Sequence, residues 1–406
     1  MVVVGGGPGG SATATFLRQR GIGCTLVEKE SFPRFHVGES MTGECGATVR
    51  KLGLGAAMAE RRYPVKHGVS VFAPNGRSRF FVPVRARAPG GELVDATTWQ
   101  VRRATFDDLL LDHATESGTE RLRGTATAPL LDADGNVRGV RVAPADGSGE
   151  LDVRADVTVD ATGMNTFLAR TGVAGVKERG DYDRQLAIYS HFTGARRDAE
   201  QSGDTVILYQ RRHHWAWLIP IDDEVTSVGV VTPSEHYRAT GMTREAFLEA
   251  EMASLNPELA RRTAGARRVA DVHATANYSY HVRRFTGDAW LCVGDAHRFI
   301  DPIFSFGLGV ALAEAEMAAG AIEAHLGGSG PPGPNPFQDY EDTCERGLDV
   351  YQLLLDGFWT NPLSFGYLLH DRHRDDVIDM FAGRVYGYER SPGYHALVAI
   401  NEAAPA

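Results

Sequence analysis

Residues 1–30 read MVVVGGGPGGSATATFLRQRGIGCTLVEKE, and the order of the parts within them decides the fold. A short apolar strand runs into the turn Gly5-x-Gly7-x-x-Gly10, a helix is expected from Ser11 to about Arg20, and a second strand, Thr25 to Val27, ends at Glu28. Each part has a physical task. Gly5 permits a tight turn, Gly7 lets the backbone approach a pyrophosphate, and Gly10 lets helix and strand pack closely. The start of the helix offers free N–H groups to phosphate, and the acid at the strand tip, Glu28, accepts ribose hydroxyls. Lys29, next in the chain, is grouped with it as a cofactor contact. A plain glycine turn is the alternative, but strand, glycines, helix, strand and acid in this order point to a bound dinucleotide.

A second stretch selects the dinucleotide. Residues 288–326 read DAWLCVGDAHRFIDPIFSFGLGVALAEAEMAAGAIEAHL: an apolar strand, Gly294-Asp295-Ala296, a loop with Asp301-Pro302, then Gly307-x-Gly309 opening a long Ala-rich helix. An acid after a strand can hold the ribityl hydroxyls of a flavin, and the helix N-terminus can face the electron-rich pyrimidine side of its ring. Between the two stretches, a helix is expected to start around Gln100 to Asp107, with Arg103 toward the cofactor, and VTVDATG (157–163) reads as a strand ending in a small-residue turn. These connecting motifs resemble those of the flavoprotein monooxygenase superfamily. The fold expected is α/β: a glutathione-reductase-like, FAD-binding Rossmann domain, an antiparallel-sheet substrate layer and C-terminal helices.

Composition narrows the class further. At 406 residues the chain is too long for one simple core and suits a large α/β domain with a second layer, or two interwoven domains. The formal charge is -10, from 52 acids against 42 bases, and the pairs Arg102-Arg103, Arg211-Arg212, Arg267-Arg268 and Arg283-Arg284 are scattered. Scattered pairs read as solvated surface, so no nucleic-acid partner is expected. Cys24, Cys45, Cys292 and Cys344 stand far apart without CxxC spacing, which fits reduced thiols better than disulfides or zinc. His213, His214 and His297 also lack ligand spacing, and no metal is expected. No run approaches the roughly 20 apolar residues a membrane span needs, and no export signal precedes the first strand. A cytoplasmic protein without a membrane partner is the expectation.

Residues 327–336, GGSGPPGPNP, end the Ala-rich helix and set off a part with helical periodicity at Leu348, Tyr351, Leu355 and Phe358. Residues 181–235 alternate apolar and polar positions and should form a second, antiparallel sheet. These boundaries divide the chain into an FAD-binding domain (1–59, 100–168 and 285–330), a substrate-binding domain (60–99 and 169–284) and a C-terminal helical segment (331–406). The second sheet contains QRRHHWAWLIPIDDEVTSVGVV (210–231), with two of the chain's five tryptophans one residue apart. Trp215 and Trp217 are read as a wall between flavin and substrate; ordinary core packing is the alternative.

WxWxIP, with GxGxxG upstream and GDAxRFxDPxFSxG downstream, resembles the flavin-dependent halogenases. The likeness runs from GGGPGG through FPRFHVGES (32–40) to AGRVY (382–386), in the pattern of members acting on pyrroles and phenols, some carried on carrier proteins. It implies a two-component enzyme of natural-product (antibiotic) biosynthesis. A separate flavin reductase supplies FADH2, which reacts with oxygen to a peroxyflavin; chloride or bromide attacks it to give hypohalous acid, and a lysine relays that species to an electron-rich aromatic, free or carrier-tethered. The resemblance places the lysine at Lys66 in YPVKHGVSVF, where a surface lysine opening a strand is the alternative. Desolvation lowers the pKa of such an amine and favours its nucleophilic form.

The same resemblance assigns Trp215 and Trp217 to keeping substrate off the flavin and His36 to flavin or phosphate, with Glu39 assisting without being catalytic. Halide is expected in the loop Ser305-Phe306-Gly307, on backbone amides. Phe306 departs from the pattern: relatives carry a small Ser or Thr there, and a benzyl group at that point fills or resizes the halide space. This departure keeps open an FAD hydroxylase or oxidase with direct oxygen transfer to substrate; a flavin-bearing scaffold without turnover ranks last.

Overall fold

The computed structural model describes residues 1–402 apart from 183, 277 and 389; the last four positions of the C-terminal segment lie outside the described residues. Strand β1 (Val2–Val4) is wholly buried, and helix α1 (Pro8–Gln19) starts three residues before the expected Ser11, with proline in its first turn. Proline has no N–H to leave unpaired there and its φ is already helical, so Pro8 rather than Ser11 opens the helix. Strand β2 (Thr25–Glu28) ends on the expected acid. Then come β3 (Val65–Lys66), β4 (Gly68–Phe72), helix α2 (Arg103–Glu116), β5 (Glu120–Leu131) and β6 (Thr158–Asp160). The strands β7 (Gln185–Thr193), β8 (Thr205–Arg211), β9 (His214–Pro220) and β10 (Val225–Pro233) precede β11 (Trp290–Cys292). Helices α3 (Gly307–Leu326) and α4 (Gln338–Thr360) follow, with shorter helices after them.

In the first sheet β5-β2-β1-β6-β11 form a parallel core, with antiparallel strands at its edges. Strands covered on both faces carry continuous apolar runs, as VVV does here. In such a sheet ligands bind beyond the carboxyl ends of the strands, where the glycine turn and Glu28 lie.

The second sheet runs β7-β10-β9-β8-β4. Its first four strands are antiparallel, but β4 joins β8 in parallel, so the expected all-antiparallel layer is mixed at this edge. The strand after Lys66 arrives from a distant segment rather than through a hairpin, and local alternation carries no sign of its direction. Alternation does sort the faces: Trp215, Trp217 and Ile219 belong to one core cluster with Tyr189 and the C-terminal helices, while Ala216 and Leu218 pack with Phe247 and Leu248 on the other side. All four cysteines are buried, free thiols, and desolvation pushes Cys45 up to about 12, which makes it inert at neutral pH. No described helix is long and apolar enough to cross a membrane.

Candidate functional site

A cavity of about 710 Å³ lies between the two sheets, and its cofactor edge is built from backbone. Gly5 has φ +103°, and a Cβ there would come within 2.5 Å of the Ala161 carbonyl. At Gly10 a Cβ would come 1.8 Å from the Gly5 carbonyl, so no side chain fits. Gly7 faces open space, its nearest neighbour being Arg34 Nη2 at 3.7 Å from a built Cβ. Glu28 is buried, and its two oxygens accept the Gly6 and Glu30 N–H groups, both at 2.6 Å. The carboxylate thereby braces the glycine turn while keeping lone pairs for ribose. Lys29 is exposed at the rim. Across the cavity, Gly294 takes φ +62° ahead of Asp295, whose carboxyl is raised to about 7 by burial against the opposing pull of Arg103. The glycine cradle, the acid at the strand tip and the acid after β11 fit an FAD molecule. Arg34, whose guanidinium lies 4.8 Å over the Phe32 ring on this wall, was missed by sequence reasoning; a base between the second strand and VGES was its only signal.

Arg103 lines the cavity and also braces its wall. Its guanidinium pairs with Asp107 through two bonds of 2.6 and 3.0 Å, and Nη1 donates to the carbonyls of Val37 (2.6 Å) and Gly38 (3.2 Å). It thus holds the segment 37–40 against the cavity. His36 donates from Nδ1 to the Val37 carbonyl, and the nearby Arg103 cation holds its imidazole neutral, down to about 4. Glu39 is buried one residue beyond, with His191 Nε2 at 2.7 Å from Oε1.

Lys66 is a buried residue, which removes the surface-lysine alternative. Its Nζ donates to Ser40 Oγ and to the Met41 carbonyl, both at 2.8 Å. Burial lowers its pKa to about 8, against the pull of Asp204 and Cys45. Ser40 Oγ also lies 2.9 Å from Thr205 Oγ1, which accepts from Gln100 Nε2 at 2.8 Å. Ser40 and Thr205 are on the cavity wall, so the amine meets the cavity through a hydroxyl. Neither residue was identified from sequence, because isolated hydroxyls carry no spacing signal.

Trp215 and Trp217 line the same wall, with ring centroids 5.8 Å apart. Trp217 lies flat on Gly229 of the neighbouring strand, where a Cβ would sit 2.2 Å from the ring, and its Nε1 donates to Ser227 Oγ at 3.2 Å.

The loop before α3 is strained at Ser305, which takes φ +60°. Phe306 caps α3, and its ring stacks on Tyr351 at 3.9 Å, with Phe304 and Phe381 at 5.9 and 6.1 Å. The benzyl group is therefore engaged in the aromatic cluster of the C-terminal helices. The first N–H groups of α3, from Gly307 onward, have no intrahelical acceptor, and this end of the helix lines the cavity. His297 is buried against Glu314 at 2.9 Å and stacks on Phe285. On the sheet face away from the cavity, His214 and His236 share the Glu251 carboxylate at 2.8 and 3.3 Å. Their ligand atoms lie within 4.8 Å of one another, a grouping that sequence spacing did not reveal.

Residues 1–346 match the family described as FAD binding domain. The chain is 38% identical over 391 residues to the 1H-pyrrole-2-carbonyl-[peptidyl-carrier protein] brominase of Pseudoalteromonas luteoviolacea, covering 96% of this chain and 93% of that one. It is 31% identical over 412 residues to the corresponding chlorinase of Pseudomonas fluorescens, covering 96% and 90%. A solved flavin-dependent brominase superposes with a TM-score of 0.89 at 37% identity, over 99% of this chain and 97% of its own. With the cofactor cradle, the buried lysine and these relatives in view, the chain belongs to the FAD-binding flavoproteins and, among them, to the flavin-dependent halogenases.

Proposed function

We propose that this halogenase acts on a pyrrole, carried as a thioester on a carrier protein, with FADH2 from a separate reductase and with bromide or chloride, in the cytoplasm and in natural-product biosynthesis. The observation that carries the reading is the buried Lys66 amine bonded to Ser40, a hydroxyl on the cavity wall. FADH2, when bound, would supply the electrons that activate oxygen, and the activated oxygen would oxidise halide. The chain's own residues do the rest. Gly5 and Gly7, with Arg34 and Lys29 near them, would hold the cofactor phosphates, Gly10 lets α1 pack onto the turn, Glu28 would accept ribose hydroxyls and Asp295 would hold the ribityl hydroxyls. The N–H groups at Phe306 and Gly307 hold halide at the start of α3, with the strained Ser305 setting the loop. Arg103 and His36 fix the segment that carries Ser40.

Trp215 and Trp217 close the space between flavin and substrate, so that oxidised halogen and not the cofactor meets carbon. Lys66, with a pKa near 8, is about one tenth neutral at pH 7 and can either hydrogen-bond hypohalous acid or take halogen on nitrogen. The two large sheets support a division in which residues 1–59, 100–168 and 285–330 bind FAD, 60–99 and 169–284 build the substrate wall and the C-terminal helices cover it, with Arg298 and Phe299 pairing across the boundary to His281 and Tyr280.

Mass spectrometry of the carrier-bound pyrrole after incubation with enzyme, flavin reductase, FAD, oxygen and bromide tests this reading. The expected product carries the paired isotope signature of bromine and is absent with Lys66→Met. A hydroxylated pyrrole instead would support direct oxygen transfer.

A further inference from the structure

We infer that Asp301 is the proton donor for halide oxidation, an inference that rests on the halogenase reading above. Asp301 is buried on the cavity wall and opens the loop that ends at Gly307. Its Oδ1 accepts the Ile303 N–H at 2.9 Å. Its Oδ2 is buried and has no hydrogen-bond partner among the described residues. An ionised carboxylate with one enclosed, unpaired oxygen is costly and the same oxygen carrying a proton is not, so the residue holds a proton at the cavity wall.

The surroundings agree with a neutral acid. Tyr278 and Gln185 pack beside it, the Tyr278 hydroxyl donating to Gln185 Oε1 at 3.3 Å and Gln185 Nε2 lying 2.8 Å from His213 Nδ1. Tyr182, also near, is hydrogen-bonded to Asp356 of α4. His213 is held neutral, down to about 4, and no described cation is paired with Asp301. Burial pushes the Asp301 carboxyl up to about 7, with the Ile303 N–H and the nearby Gln185 amide, whose hydrogen bonds of good geometry go to His213 and Tyr278, pulling the other way. Asp107 and Asp379 are equally enclosed but hold arginines in charged pairs. Asp301 alone of these three faces the cavity.

Halide oxidation requires such a donor. FADH2, O2, halide and one proton give FAD, hypohalous acid and water: the flavin and the halide each lose an electron pair, and O2 gains both. The proton leaves Asp301 as its O–H bond breaks and ends in the departing water, and the carboxylate is reprotonated from solvent. Asp301 opens the loop whose amides at Phe306 and Gly307 are proposed to hold halide, and all three residues line the same cavity.

The test compares wild type with Asp301→Asn by infrared spectroscopy of the FAD-loaded, oxidised enzyme and by trapping hypobromous acid in turnover. The expected spectrum shows carboxylic acid absorption at neutral pH that fades as pH rises, and the Asn variant lacks the Asp301 component while keeping that of Asp295. The expected turnover of the variant is lower by about 10²-fold or more, without the alkaline limb near neutrality and with FAD affinity unchanged. A spectrum in which the Asn variant loses no acid band, or a variant that oxidises bromide at the wild-type rate, overturns the assignment. A wild type that shows the band yet makes no hypobromous acid overturns the halogenase reading and the donor role with it, while leaving the protonation of Asp301 established.

Discussion

At the glycine turn the cavity wall is defined by what cannot be there, a Cβ at Gly5 or Gly10, whereas across the cavity it is defined by side chains that had to be brought together: Ser40, with Lys66 bonded behind it, Thr205, Trp215 and Trp217. The first wall comes from ten consecutive residues. The second comes from the segments around residues 40, 66, 205 and 215, on strands and loops that meet only in the folded chain. A wall of backbone binds a cofactor shared by many proteins, and a wall of side chains decides what the cofactor's oxidising power is used for.

The comparison can be broken most sharply at Gly10. Gly10→Val places atoms inside the Gly5 carbonyl, and the purified protein should carry no flavin absorbance and a depressed Tm; flavin at full stoichiometry would refute the backbone account. Lys66→Met should lower bromination of the carrier-bound pyrrole by about 10²-fold or more while leaving FAD absorbance intact, because the lysine contacts only the second wall. Loss of FAD in that variant would merge the two walls.

Arg103→Lys keeps the charge but cannot pair with Asp107 through two bonds and also hold Val37 and Gly38. Fluorescence titration should show FAD binding weakened by about tenfold, an effect on the order of 1.4 kcal/mol.

The smallest effect is in stability against pH. Lys66 has a folded pKa of about 8 against 10.5 for an ordinary lysine. Below about 8 both states are protonated and the burial penalty is fully present; between the two values the folded state has released the proton that the unfolded state keeps, so this group makes stability rise with pH. Denaturant melts from pH 7 to 10 should show that rise in wild type and a flatter profile in Lys66→Met.

What was legible in sequence follows the same division. The dinucleotide fold could be read because glycines, strand and acid lie within thirty residues, and each answers a local steric or electrostatic need. The start of α1 was misplaced because Pro8 looked like part of the turn. The parallel pairing of β4 with β8 was hidden because alternation reports which face is buried and not which way a neighbour runs. Lys66 was found through its family setting, but its partners Ser40 and Thr205 were not, since a serine and a threonine 165 positions apart meet only through the sheet. Phe306 could be read as a departure in the halide loop, but its stacking on Tyr351 depends on α4, which no local pattern could foretell.

The central claim is that halide is oxidised at the flavin wall and transferred at the lysine wall, and the most direct measurement is a scavenger trap for hypobromous acid in Lys66→Met, run beside mass spectrometry of the carrier-bound pyrrole. The account predicts that the variant consumes oxygen and yields trapped bromine at the wild-type rate while the pyrrole stays unbrominated. Loss of trapped bromine along with product, or brominated pyrrole at the wild-type rate, would contradict it.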